Sequence, residues 1–165
     1  MANTAHADHA HDHHDHKPHG LKRWLYATNH KDIGTMYLVF ACIMFFGGGA
    51  MALVIRAELF QPGLQFVDPS FFNSMTTMHA LVMIFGAVMP AWTGFANWMI
   101  PMMIGAKDLA FPKLNLASWY VYMIGAAFMV WSVLAGGIDT GWTLYPPYSS
   151  RFSHSNVTPG AFGAF

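Results

Sequence analysis

Three long stretches of this chain, residues 33–55, 71–104 and 114–138, contain no Asp, Glu, Lys or Arg. Even the shortest, 23 residues, exceeds the roughly 20 apolar residues, at about 1.5 Å each, that cross about 30 Å of hydrocarbon. A soluble domain carries charge on about a quarter of its residues, whereas here 10% are charged. The stretches therefore predict three transmembrane helices. The second is longer than a crossing needs and contains Pro90 and Pro101, so its last turns are expected to be interfacial, bent, or both.

After residue 148 the chain turns apolar again in VTPGAFGAF (157–165). Pro159 suits the first turn of a helix, so residues 159–165 read as the start of a fourth span. The fold expected is an all-α membrane protein, three complete transmembrane helices plus the start of a fourth, part of a larger polytopic helix bundle. Basic residues set its orientation. Lys17, Lys22, Arg23 and Lys31 precede the first span, and Lys107 and Lys113 lie between the second and third. Only Arg56 and Arg151 fall on the opposite side. By the positive-inside rule the N-terminus is cytoplasmic. The polar opening followed by a full-length apolar run is not the pattern of a signal peptide. Cys42, the one cysteine, lies inside the first span and reads as a small packing residue.

Residues 1–27 read as a disordered, His-rich cytoplasmic tail ahead of the membrane unit, residues 28–165. Seven histidines fall between His6 and His19, mixed with aspartate and without apolar periodicity. Neutral imidazoles there could capture copper or zinc. A solvated tail that binds metal weakly is the favoured reading.

Within the spans, His79 is the one titratable side chain in MTTMHALVMIFGAVMP (75–90). Ionisable residues at such depth are rare and need a partner. Two readings stand level: an imidazole ligating a metal or haem iron, with an acceptor on its other nitrogen, or a histidine bonded to a neighbouring helix. Arg56 ends the first span, as a snorkelling side chain or as a donor to a cofactor oxygen, the former favoured. Glu58, Gln61, Gly63 and Gln65 follow in RAELFQPGLQ. They could hold calcium or sodium, although a turn at Pro62-Gly63 explains the stretch without a metal. Asp108, with Asn97 and Asn115 near the flanking span ends, could hold water and pass protons inward. Unaided, an ordinary loop charge is the better reading of Asp108.

In combination these motifs resemble subunit I of the haem–copper terminal oxidases, the cytochrome c oxidase family. TNHKDIGTMYL (28–38), IRAELFQPG (55–63), MHALVMIF (78–85), ANWMIPMMIGAKDLAFPKLN (96–115) and TGWTLYPP (140–147) follow the family's order and spacing. The resemblance implies that His79 is an axial ligand of the low-spin haem a and that Arg56 bonds that haem's formyl group. It implies Trp142 near the haem propionates, and Asp108 at the cytoplasmic mouth of a proton channel lined lower down by Asn97, Asn115, Ser118 and Tyr37. Glu58, Gln61, Gly63 and Gln65 match the neighbourhood of a calcium or sodium site. Leu116 departs from the pattern, because many relatives carry a second asparagine there, which bears on the channel's constriction.

The function so implied is that of a catalytic-subunit fragment. Electrons pass through haem a to a second a-type haem and copper B, and oxygen is reduced to water with proton translocation. The ligands of that second centre are expected on later spans. Expected partners are cytochrome c, oxygen, a copper-bearing subunit II, the other oxidase subunits and the lipid of a bacterial inner membrane, with no nucleic acid. A quinol oxidase of the same family is the first alternative. Gly47, Met51, Phe71 and Ser74 stand where ubiquinol-oxidising members carry arginine, aspartate, histidine and glutamine, which favours cytochrome c. The second alternative is a His-tailed membrane metal transporter, which would need polar ligands on at least two spans.

Overall fold

The computed structural model describes residues 20–164. The His-rich segment up to residue 19, and Phe165 at the far end, lie outside the described residues. Helix α1 is a single short turn-and-a-half, Leu21–Leu25, so the segment expected to be disordered as far as residue 27 contains an ordered piece. The Arg23 guanidinium holds α1 to the first turn of the next helix by bonding Asp32 Oδ1 at 2.8 Å.

Helix α2, His30–Glu58, is the first span. Asn29 caps it by accepting the Lys31 N–H at 3.0 Å. The second span is one continuous helix, Pro69–Met103, built of α3 (Pro69–Leu81), a π-helical stretch Val82–Val88, and α4 (Met89–Met103). It begins where Asp68 accepts from the Ser70 and Phe71 N–H groups and Pro69 occupies the first helical position. Helix α5, Pro112–Leu134, is the third span. The uncharged stretch runs on to residue 138, but the helix stops at Leu134. Gly136 and Gly137 adopt φ values of 103° and 77°, and the Gly137 N–H closes back on Ser132 O at 2.9 Å. Helix α6, Thr158–Ala164, follows a loop with a second π-helical turn at Tyr148–Phe152. All regular structure among the described residues is helical.

Helix α2 lies along the whole second span. At one crossing the two backbones touch: a Cβ on Gly34 would sit 3.0 Å from Gly94 O, and one on Gly94 would sit 3.0 Å from Gly34 O. Only glycine allows that approach. Helix α5 packs mainly on α6 and meets α2 through Tyr37, Phe40, Trp119 and Tyr122, whose rings make edge contacts such as Tyr37–Trp119 at 4.8 Å. The buried core is small and divided. One cluster gathers Met78, Leu81, Val82, Met129 and Ile138, the other Ala27, Ile33 and Tyr37. Leu53, Trp92 and Leu134 are by contrast more than two-thirds exposed. An apolar exterior around a thin core suits a bundle solvated by acyl chains and further helices, where packing rather than water exclusion joins the spans.

Candidate functional site

His79 occupies the last turn of α3, just before the π-helical stretch, and is half-buried. Its Nδ1 lies 2.8 Å from Gly48 O on α2. A carbonyl only accepts, so Nδ1 carries the proton and Nε2 keeps its lone pair. This arrangement, with one ring nitrogen anchored on a backbone carbonyl and the other left as a donor to iron, is the one a ligating histidine needs. Gly48 makes it possible, because a Cβ there would fall 2.5 Å from Met83 Sδ. The two readings of His79 are thus compatible: it bonds a neighbouring helix and still presents a ligand atom.

Arg56 stands two turns further along α2, about 12 Å at 1.5 Å per residue. It is exposed and makes no hydrogen bond within the described residues. Trp142 lies in the loop after α5, also exposed. That loop is seated on the His79 turn. The Gly141 N–H donates to Thr77 Oγ1 at 3.0 Å, and the position of a Cβ on Gly137 would be 3.1 Å from Met78 Cγ. His79, Arg56 and the Trp142 loop therefore lie toward the same end of the spans, that of the C-terminus of α2 and the N-terminus of α3.

Glu58 is buried, and its carboxylate already has donors. Oε1 accepts the Gln65 N–H at 2.8 Å, while Oε2 accepts those of Phe66 and Val67 at 2.7 and 3.2 Å. Of the four residues considered for a hard cation, Glu58 and Gln65 meet through the Gln65 backbone, and the Gln65 side chain turns to Pro62 O at 3.3 Å. Gln61 and Gly63 are exposed in the same loop. Here the carboxylate closes the loop by itself, and a cation would have to compete with three amides. Among the described residues no three His, Cys, Asp or Glu side chains are grouped to hold a metal.

At the opposite end of the spans Asp108 meets a residue that sequence reasoning missed. Its Oδ1 accepts the His30 N–H at 3.3 Å, the Leu109 N–H at 2.8 Å, and lies 3.0 Å from His30 Nδ1. Asp108 thus sits against the N-terminus of α2, where a carboxylate is favoured. The His30 side chain is only 6% exposed, and its Nε2 has no partner among the described residues. His30, Ile33, Gly34 and Tyr37 share the buried face of α2, and the signal was there in TNHKDIGTMYL, at spacings of three and four. Further along that face the Tyr37 hydroxyl lies 3.3 Å from Ser118 Oγ, which donates to Asn115 O at 2.7 Å. Asn115 Nδ2 is buried without a partner. Asn97 faces Gly34 but bonds its own helix at Thr93 O, 3.1 Å. Of the five residues grouped from sequence, Tyr37, Ser118 and Asn115 are linked, whereas Asp108 bonds His30 and Asn97 bonds its own helix, so the five form no unbroken chain.

A further polar cluster was not anticipated. Asp139, 6% exposed, accepts from the Ser153 and Ser155 hydroxyls, both at 2.6 Å, and from the His154 N–H at 3.2 Å. Burial pushes its pKa up, but these hydrogen bonds prevail and hold it at about 2.

These features describe an all-helical membrane unit with a histidine bonded across two spans and an acidic residue at a span end, and sequence comparison specifies the class. The chain belongs to the family described as Cytochrome C and Quinol oxidase polypeptide I, which matches residues 32–164. It is 46% identical over 129 residues to the probable cytochrome c oxidase subunit 1-alpha of Streptomyces coelicolor, covering 77% of this chain and 22% of that protein. It is 45% identical over 142 residues to cytochrome c oxidase subunit 1 of Corynebacterium efficiens, covering 84% and 24%, and 46% identical over 134 residues to the Corynebacterium glutamicum protein of that name, covering 79% and 23%. The chain spans about a quarter of the length of these relatives.

Proposed function

We propose that this chain is part of the oxygen-reducing subunit of a respiratory cytochrome c oxidase in a bacterial inner membrane, and that His79 is an axial ligand of its low-spin haem a. The observation that carries the reading is the His79 Nδ1 to Gly48 O bond, which leaves Nε2 available as the ligating nitrogen. A bound haem would supply one-electron transfer toward the oxygen-reducing centre. His79, positioned by Gly48, would hold its iron, and Arg56 and Trp142 would lie beside it. A cationic donor at Arg56 favours the reduced state and raises the potential.

Asp108 and His30 form the cytoplasmic mouth through which protons are taken up, with Asn97, Asn115, Ser118 and Tyr37 along the route, joined by water where the side chains do not touch. Glu58 serves as a loop clamp, with calcium or sodium an occupant only if it displaces the amide donors. The remaining partners are a copper-bearing subunit II, the other oxidase subunits and cytochrome c. The family description covers quinol oxidases as well. Gly47, Met51, Phe71 and Ser74 supply no charged group to a quinone headgroup, which favours cytochrome c. Quinol-driven oxygen uptake without cytochrome c would reverse that choice.

The test is the reduced-minus-oxidised visible spectrum of the intact complex, wild type beside His79→Ala. Loss of the low-spin band is expected. A fully populated band in the variant means that the imidazole packs rather than ligates.

A further inference from the structure

We propose that Asp139 is a positioning residue, which holds the Trp142 loop on the turn of α3 that carries His79. The proposal rests on the reading of His79 as a haem ligand. Asp139 is buried, yet among the described residues no Lys, Arg or His side chain pairs with it. An unpaired buried carboxylate is costly unless its lone pairs are filled. Here they are filled from one short segment: Ser153 and Ser155 hydroxyls on Oδ1 and the His154 N–H on Oδ2. The Asp139 N–H returns the contact by donating to Ser155 Oγ at 3.0 Å. One residue thus ties the exit of α5 to the approach of α6.

The residues on either side of Asp139 are in turn tied to α3. Ile138 and Thr140 are 1% and 2% exposed, and the Gly141 N–H donates to Thr77 Oγ1, two residues from His79. A Cβ on Gly160 of α6 would collide with Ile138 Cδ1, so α6 presses the segment inward with no slack. Trp142 is the next residue. Its place beside the haem site is set by a four-residue wedge that the Asp139 bonds lock, and neither Trp142 nor His79 has a hand in the locking.

The experiment uses the intact oxidase complex and two variants, Asp139→Asn and the double Ser153→Ala/Ser155→Ala, which keeps the charge and removes two donors. Backbone hydrogen exchange over residues 136–156 and the midpoint potential of the low-spin haem are read in each. Exchange is expected to quicken by roughly tenfold or more, as loss of charge-assisted bonds implies, and the potential is expected to shift in both variants. Faster exchange with an unmoved potential overturns the proposal by making Asp139 a purely structural clamp. A potential that moves in Asp139→Asn alone overturns it in favour of a bare charge effect, and unchanged exchange in both overturns it outright. Retention of the haem band in His79→Ala would remove the reading beneath it, a failure seen in the spectrum and independent of exchange.

Discussion

The Tyr122 hydroxyl on α5 donates to Phe85 O, inside the π-helical stretch of the second span, at 3.0 Å. Along that stretch the backbone bonds reach back five residues, as the Met89 N–H does to Ile84 O. Phe85 O would take the next N–H, that of residue 90, which is a proline and has none. A neighbouring helix supplies the donor that the proline withholds, as polar groups at membrane depth require. Tyr122→Phe leaves that carbonyl without a partner and is expected to cost about 1 kcal/mol. A lowered unfolding midpoint of the intact complex, with haem content unchanged, is the expected result.

The glycines 47 and 48 make a matched pair. A Cβ on Gly48 meets the Met83 side chain, while one on Gly47 meets nothing within 4 Å. Gly48→Ala is expected to push α2 from the π-helical stretch that carries Met83, lengthen the His79 bond, and cost about 1–3 kcal/mol through overpacking. It should also shift the low-spin haem spectrum. Gly47→Ala should leave both stability and spectrum as they are.

At the proposed proton entrance, Asp108→Asn removes the anion that His30 faces. Oxygen consumption is expected to fall by at least roughly tenfold, since a lost proton-transfer group typically costs more than that. His30→Ala should slow turnover less, because Asp108 keeps its Leu109 contact. Proton release from vesicles, measured beside oxygen uptake, checks both. Full activity in Asp108→Asn would contradict the assignment.

Asp139 sets an acid limit on the loop between α5 and α6. Its pKa is depressed to about 2 from an ordinary 3.8. A depressed carboxylate stabilises the folded loop fully above the unfolded value and loses that contribution as pH falls through the folded one. Protection of residues 136–156 should therefore be constant above roughly pH 4 and fall between about pH 4 and 2. Asp139→Asn should lack this dependence, as proteolysis or exchange at the two pH extremes will register.

How far the molecule could be read in advance depended on what leaves a trace in composition. Twenty or more residues without charge admit few structures other than a span, so helices fall at 30–58, 69–103 and 112–134. The end at Leu134 was invisible because Gly136, Gly137 and Ile138 continue the apolar run while the backbone has already turned. The π-helical stretch leaves no compositional mark beyond Pro90. His79 stood out as a lone imidazole among apolar neighbours, but its partner is a main-chain carbonyl, which every residue possesses. Asp108 and His30 are 78 positions apart, and nothing local couples them. Glu58 was read through its side-chain chemistry, whereas the amides that occupy it belong to loop geometry.

A π turn amounts to one residue more than an α-helix of the same rise requires. Deleting a single residue between Val82 and Val88 would let the second span wind as uninterrupted α-helix. Because the wider turn absorbs that extra residue, everything after it would keep nearly its present direction relative to everything before it. His79 and its Gly48 anchor lie on the near side of that joint, whereas Gly94 and Asn97 lie on the far side. The two halves of one span thus meet at a joint that takes up a single residue, with the histidine on one side and the Gly34–Gly94 crossing on the other.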